Sequence, residues 1–259
     1  MKRIFFPFLL MNTLISIFFS FAFAQQQTNE LWNKALEIFK ANEKWVPGTM
    51  MQKTELLNKK GKVESIEEML IKLQPDEKEK LKSEIVKVIR DGKDITAEVK
   101  EKQQKAEEKR AQDKKEKDSS ASFNSDETPF NPDLQNKVKY SLRKDTQTIG
   151  GRLCAGFDYT FDMEYTENGK KKTVQSKGMA WLNSETGHPM KLEYTLQPLP
   201  SRMKSLWMIF LYEVTLDGKL YAKEMRMEGE GGILFIKKKI RSITTFSDYW
   251  WGENLTDDK

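Results

Sequence analysis

The sequence predicts a mainly β fold with helices, built on a long antiparallel sheet, and three observations carry that expectation. From Val138 onward apolar and polar residues alternate with period two. The clearest run sets Leu153, Ala155, Phe157, Tyr159, Phe161, Met163 and Tyr165 against Cys154, Gly156, Asp158, Thr160, Asp162 and Glu164. Turn signals separate such runs at hairpin spacing: Asn168-Gly169, Asn183 to Gly187, and Asp217-Gly218. Strand, turn, strand at this pace makes a meander, and a long meander tends to curl or close. The third observation is an interruption. From Thr96 to Asp118 nearly every residue is charged or Gln, so that stretch has no apolar face to bury.

The N-terminus predicts export. Lys2 and Arg3 precede an almost wholly apolar run from Ile4 to Phe23, and Ala22-Phe23-Ala24 has the small-x-small pattern of a signal-peptidase site. Pro7, Asn12 and Thr13 weaken the competing reading as an anchor helix. No cysteine follows Ala24, so the expectation is a soluble mature chain from Gln25, periplasmic or otherwise exported. The net charge of +5 is a small excess in a chain holding 44 basic and 39 acidic residues, and two of the basic ones lie in the leader. Such mixed charge keeps a surface soluble without building a phosphate-binding field, so no nucleic-acid partner is expected. Cys154 is the single cysteine, which excludes an intrachain disulfide and leaves the core to hold the fold.

Leu31, Trp32, Ala35, Leu36, Ile38 and Phe39 give one short helix with a broad apolar face, which Thr28 or Asn29 can cap and Pro47-Gly48 ends. Extended stretches Thr49 to Leu57 and Val63 to Leu73 flank Asn58-Lys59-Lys60-Gly61 and form a first hairpin. From Pro75 the character changes. Leu81, Ile85, Val88 and Ile89 form a stripe at helical spacing that Gly92 ends, the charged run follows as a solvated helix or tether, and Ser119 to Asp133 reads as linker. The organisation is therefore a signal peptide over 1–24, a helix and hairpin over 25–74, a charged helical or disordered insertion over 75–133, the meander over 134–252, and a tail over 253–259. Within the meander, Thr173 to Leu182, Met190 to Leu196, Leu206 to Val214, Leu220 to Gly229 and Ile233 to Phe246 are the further strands. Leu206 to Val214 is apolar on both faces, and Gly229, Gly231 and Gly232 suggest a bulge or sharp bend.

Catalytic chemistry is thinly represented. His188 is the single histidine and sits in a Gly187-His188-Pro189 turn, so it reads as a turn residue. One histidine and one cysteine do not make a zinc site, and no metal or cofactor is expected. Gly229-Glu230-Gly231-Gly232 lacks the Lys-Ser/Thr of a phosphate loop. Asp162 and Glu164 share a strand face about 6–7 Å apart by the strand rise, as hydrolase carboxylates can, but they read as the solvated face of an amphipathic strand. The chain is not expected to be an enzyme. Methionines such as Met163, Met179, Met190, Met208 and Met225 sit among Phe157, Phe161, Trp181 and Trp207. That mixture suits either an ordinary β core or an adaptable lining for acyl chains.

A leader, one N-terminal helix, a hairpin and a long meander together resemble the periplasmic lipoprotein carriers of the Lol pathway and related outer-membrane lipoprotein-sorting proteins. The stretch from Gly178 through Trp181, Asn183, Gly187 and Pro189 to Tyr194 looks like that family's strand-turn-strand, and Ser242 to Trp250 looks like its closing strand. The resemblance covers about Leu31 to Leu73 and Val138 to Trp250; the charged segment is a departure from it. It implies an unclosed β-barrel with helices across the mouth and an apolar cavity for the acyl chains of lipids or lipoproteins. No binding residue of the family matches a position here. From strand alternation alone, the cavity candidates are Phe157, Tyr159, Phe161, Met163, Trp181, Met190, Leu192 and Tyr194. The expected function is a non-enzymatic carrier that touches membranes transiently. The alternative is an envelope structural or interaction protein that uses the charged segment as a spacer toward a protein partner.

Overall fold

The computed structural model describes residues 30–75, 81–112, 128–167, 170–199, 203–233 and 236–252. The leader and its cleavage site, the Asn168-Gly169 turn and most of the expected linker lie outside these residues. Helix α1 spans 30–41, with Leu31, Trp32 and Ala35 buried and Asn33 and Glu37 exposed. Asn42 stops it by donating its side-chain amide to the Ile38 carbonyl at 2.7 Å, inside the last turn.

The strands follow as β1 (Trp45–Val46), β2 (Thr49–Leu57), β3 (Val63–Pro75), β4 (Leu81–Arg90) and β5 (Lys93–Asp94), then helix α2 (Thr96–Gln112). After a 3-10 turn at Pro132–Leu134 come β6 (Lys139–Ile149), β7 (Arg152–Glu167), β8 (Lys170–Asn183), β9 (Pro189–Gln197), β10 (Met203–Val214), β11 (Leu220–Ile233), β12 (Ile236–Ser247) and β13 (Trp250–Trp251). One antiparallel sheet of 11 strands holds all but β1 and β13, in the order β5-β4-β3-β2-β12-β11-β10-β9-β8-β7-β6. Each strand pairs with its sequence neighbour except at the β12–β2 junction, where the N-terminal hairpin is added to the end of the meander. The outermost strands do not meet, so the barrel stays open. β1 and β13 pair separately and fasten the chain after α1 to the chain after β12.

Strand β4 corrects the helical reading of Leu81, Ile85, Val88 and Ile89. Ile85 pairs with Ile71 and Val88 with Met69, while Val86 is an extra residue between the two registers. That β-bulge lets residues three apart share a face, which in sequence is indistinguishable from helical spacing. The charged run does form a helix, but it lies along the free edge of β4. The Val88 amide donates to Thr96 Oγ1 at 2.9 Å, the Ile95 amide to the Val88 carbonyl at 3.0 Å, and Lys100 meets Glu84 at 3.5 Å. A polar helix beside an open edge covers strand groups that would otherwise invite another chain. The glycines near 229 do not break β11, whose register with β12 is continuous; the irregularity falls opposite them on β10, between Met203 and Ser205.

The core lies between α1 and the β6–β9 half of the sheet. Trp32 is fully buried and stacks on Tyr140 at 4.2 Å and 7°, with Phe130 at 4.9 Å and Phe157 at 5.5 Å. Its indole N–H donates to Gln135 Oε1 at 3.2 Å, so the polar end of the ring is satisfied. Phe130 is also fully buried, and Gln135 donates to the carbonyls of Pro129 and Asn131. The stretch from Thr128 to Asp133 is thus packed structure where linker was expected. Its Pro and Asn residues serve a tight turn that delivers one phenylalanine to the core.

Gly178 is required by a close approach: a Cβ there would stand 1.9 Å from the Glu193 carbonyl oxygen of β9. Gly178→Ala is therefore expected to part β8 from β9 and to lower Tm sharply. Trp32→Ala is expected to cost about 3–5 kcal/mol in urea unfolding, the range for deleting a buried aromatic, with Trp32→Phe recovering part of it.

Candidate functional site

Strand pairing lines the inner face of the sheet, the side α1 packs on, with two parallel rows of side chains. One runs Phe157, Ala180, Leu192, Phe210, Met225, Thr244, Gln52, Met69, Val88. The other runs Tyr159, Gly178, Tyr194, Met208, Met227, Ser242, Thr54, Glu67, Arg90. Both are apolar from β7 to β11 and turn polar at β12; the first returns to apolar at Met69 and Val88, while the second stays polar to Arg90.

Helix α1 covers only the first part of these rows. Beyond it a cavity of about 410 Å³ opens over β9, β10 and β11. Its floor is Leu192, Tyr194, Met208, Phe210, Tyr212, Ala222 and Met225. The end of α1 supplies Phe39, Asn42 and Glu43; Trp45 to Pro47 and Tyr249 form a second wall, and Leu73 and Leu81 the far rim. The aromatic floor is fixed by its own packing. Tyr194 stacks on Phe210 at 6.2 Å and 4°, and Phe39 meets Tyr212 edge-on at 6.0 Å. Asn42 Oδ1 accepts from the Leu220 amide at 3.1 Å, tying the end of α1 to the β10–β11 turn. The volume falls in the range of small-molecule sites, and the lining is predominantly hydrocarbon and aromatic.

Few polar atoms face this space, and burial dominates those that do. Burial pushes the phenols of Tyr212 and Tyr249 well above the usual tyrosine range, and the Tyr249 hydroxyl donates to the Ala222 carbonyl. Tyr159, beneath α1, is raised by burial too. These are neutral phenols, not acids or bases poised near neutrality.

Of the eight candidates read from alternation, Leu192 and Tyr194 line the cavity. Phe157, Tyr159 and Phe161 are buried in the core beneath α1, and Met163 packs against the same cluster. Trp181 and Met190 cluster with Cys154 on the outer face. Trp181 faces Gly156 there, where a Cβ would meet its ring at 2.9 Å, and donates its N–H to Glu193 Oε1 at 3.0 Å. Glu193 also accepts from Lys191 at 2.7 Å, so this outer cluster is internally satisfied. The unequal burial of α1 over the sheet assigns the remaining lining to Met208, Phe210, Tyr212 and Met225. The signal for the first three was the run Leu206 to Val214, apolar on both faces; Met225 stood only among the methionines noted beside aromatics.

The other chemistry weighed in the sequence is dispersed. Asp158 is held by Arg143 at 2.7 Å and Asp162 accepts from Gln175 at 3.2 Å, both on exposed positions. Burial raises the Cys154 thiol, which makes it less reactive. His188 contacts Thr186 Oγ1 of its own turn at 2.8 Å and the Gly218 carbonyl of the β10–β11 turn at 3.3 Å. Among the described residues no group of three or more His, Cys, Asp or Glu side chains is placed to hold a metal ion, and no helix is long and apolar enough to cross a membrane.

No family model matches the chain, and no curated protein matches it. Among solved structures, it is similar to a domain described as an outer membrane lipoprotein-sorting protein domain from Vibrio parahaemolyticus, with 18% identity, 88% of this chain and 96% of that one covered, and a TM-score of 0.36. A DUF1329 family protein from Desulfovibrio piger shows 13% identity, 88% and 95% coverage, and a TM-score of 0.37. MucB in its complex with MucA shows 9% identity, 84% and 93% coverage, and a TM-score of 0.24. Likenesses this distant decide neither the family nor the function.

Burial of the Tyr212 and Tyr249 phenols makes their contribution to stability depend on alkaline pH. A phenol held neutral by folding stabilises the native state fully below its unfolded pKa of about 10, and that contribution is lost as pH rises further. Tyr212→Phe is expected to shift the alkaline unfolding transition, followed by circular dichroism, to higher pH.

Proposed function

We propose that this protein is a non-enzymatic carrier that holds acyl chains of lipids or lipoproteins in the cavity over β9–β11, acting in an exported compartment such as the periplasm in the sorting of outer-membrane lipoproteins. The observation that carries the reading is the 410 Å³ apolar cavity, left open because α1 covers only part of the inner face. Binding there rests on apolar burial, about 25 cal/mol per Å² before ordering costs are subtracted. Such an interaction is strong for a chain of many methylenes and indifferent to its exact length. A carrier needs that tolerance, together with release when a better acceptor is met. Met208 and Met225 in the floor suit it, since methionine repacks around varied shapes.

The test is to produce the protein with its own leader, purify it from the exported fraction and record native mass spectra. Co-purifying lipid that is lost on denaturation supports the carrier. A ligand-free mass, with no uptake of a pyrene-labelled acyl ester or alkane, overturns it. Phe210→Ala is expected to weaken binding of a pyrene-labelled acyl methyl ester about tenfold, from lost aromatic contact, while the fold persists. Phe161→Ala, in the core under α1, is expected instead to cost about 3–5 kcal/mol of stability.

A further inference from the structure

At β12 the two inner rows change from apolar to polar, and the change is buried. Ser242 and Thr244 are each 1% exposed. Ser242 is satisfied: its hydroxyl accepts from Gln52 Nε2 at 3.1 Å and shares a bond with the Thr54 hydroxyl at 3.1 Å. Thr244 is not: among the described residues its hydroxyl has no hydrogen-bond partner. An orphaned buried hydroxyl costs stability, and valine would fill the same space without that cost. The orphan stands directly opposite Met225 of the cavity floor, on the same face of the sheet. Its diagonal neighbours across the strands include Met227 and Met50, flexible side chains that can swing aside.

Resting on the carrier reading, we infer that Thr244, with Ser242 and Gln52, forms a polar anchor for the neutral ester or amide linkage of an acyl amphiphile whose hydrocarbon chain lies over β9–β11. The site offers a hydroxyl donor beside a cavity whose lining, among the described residues, includes no lysine or arginine. Farther along the row the charged groups, Glu67 and Arg90, are engaged with each other at 2.6 Å. A carbonyl matches that chemistry. A free carboxylate does not, because its charge would be buried without a counterion. The ligand class is therefore an acyl ester or amide rather than a free fatty acid or a bare hydrocarbon. The anchor also fixes the direction of the bound molecule, chain toward α1 and head toward the β3–β4 edge.

The test compares two probes supplied from neutral vesicles: the methyl ester of a pyrene-labelled fatty acid, and a pyrene-labelled alkane of equal length. Wild-type protein is expected to bind the ester about tenfold more tightly, the worth of one good buried hydrogen bond. Thr244→Val is expected to remove most of that preference through the ester alone and to raise the Tm of the ligand-free protein by about 2–4 °C. The Ser242→Ala variant gives a second measure of the same preference if Thr244→Val does not fold. Equal wild-type binding of the two probes, or an ester preference unchanged in both variants, overturns the anchor and leaves the carrier reading standing. Failure of wild-type protein to bind either probe overturns both.

Discussion

An open antiparallel sheet with one apolar face is unstable until something covers that face, and here the cover hangs on Trp32. Its indole stacks on Tyr140 of β6, touches Phe130 and Phe157, and satisfies its N–H on Gln135. One side chain thus joins α1, the Thr128–Val138 stretch and the far edge of the sheet. The apolar residues of α1 have no other surface to meet. Because α1 is only three turns long, it seals the β6–β9 half and stops, and the cavity is the consequence of that shortness.

The two ends of the sheet are managed differently. The β4 edge is lined by α2, whose ion pairs between Glu98 and Lys102 and between Glu101 and Lys105 run along its own surface. Each is worth little in water, so α2 depends on Ile95, Thr96 and Lys100 at β4 for its place. The β6 edge carries Lys139, Arg143, Lys144 and Asp145 and is discouraged from pairing by charge. From β7 to β2 the inner face grades from aromatic core, through methionine and aromatic cavity, to a hydroxyl and amide strip, beyond which one row becomes apolar again at Met69 and Val88. That grading is amphiphilic along a single row of paired residues. A molecule with a chain and a head has the same order of parts.

Much of the fold was legible because alternation and turn chemistry are local. The strands from Val138 onward, the first hairpin and the N-terminal helix all sit where period and turns put them. Two misreadings have definite causes. Val86 adds one residue to β4, and a bulge of that kind turns period two into something a helix would also produce. Phe130 is one aromatic in a Pro-, Ser- and Asn-rich stretch, so composition reported linker while a single contact set made it core.

The site was legible in part, and the division follows from the range of the interactions. Period-two alternation states which residues share a sheet face, and that local rule singled out Leu192 and Tyr194 along with the core residues Phe157, Tyr159 and Phe161. It does not state where along the face a helix will lie. Nor does it carry across the β8–β9 turn, where an irregularity between Trp181 and Leu182 moves Met190 to the outer face beside Trp181. Which inner residues are covered by α1, which bound a cavity, and which hydroxyl is left without a partner depend on strands far apart in the chain, where Gln52 and Ser242 meet across 190 residues. Local sequence therefore laid down the strands and their faces. The lining and its polar edge arose only when the N-terminal hairpin paired with β12, a contact for which no local pattern exists.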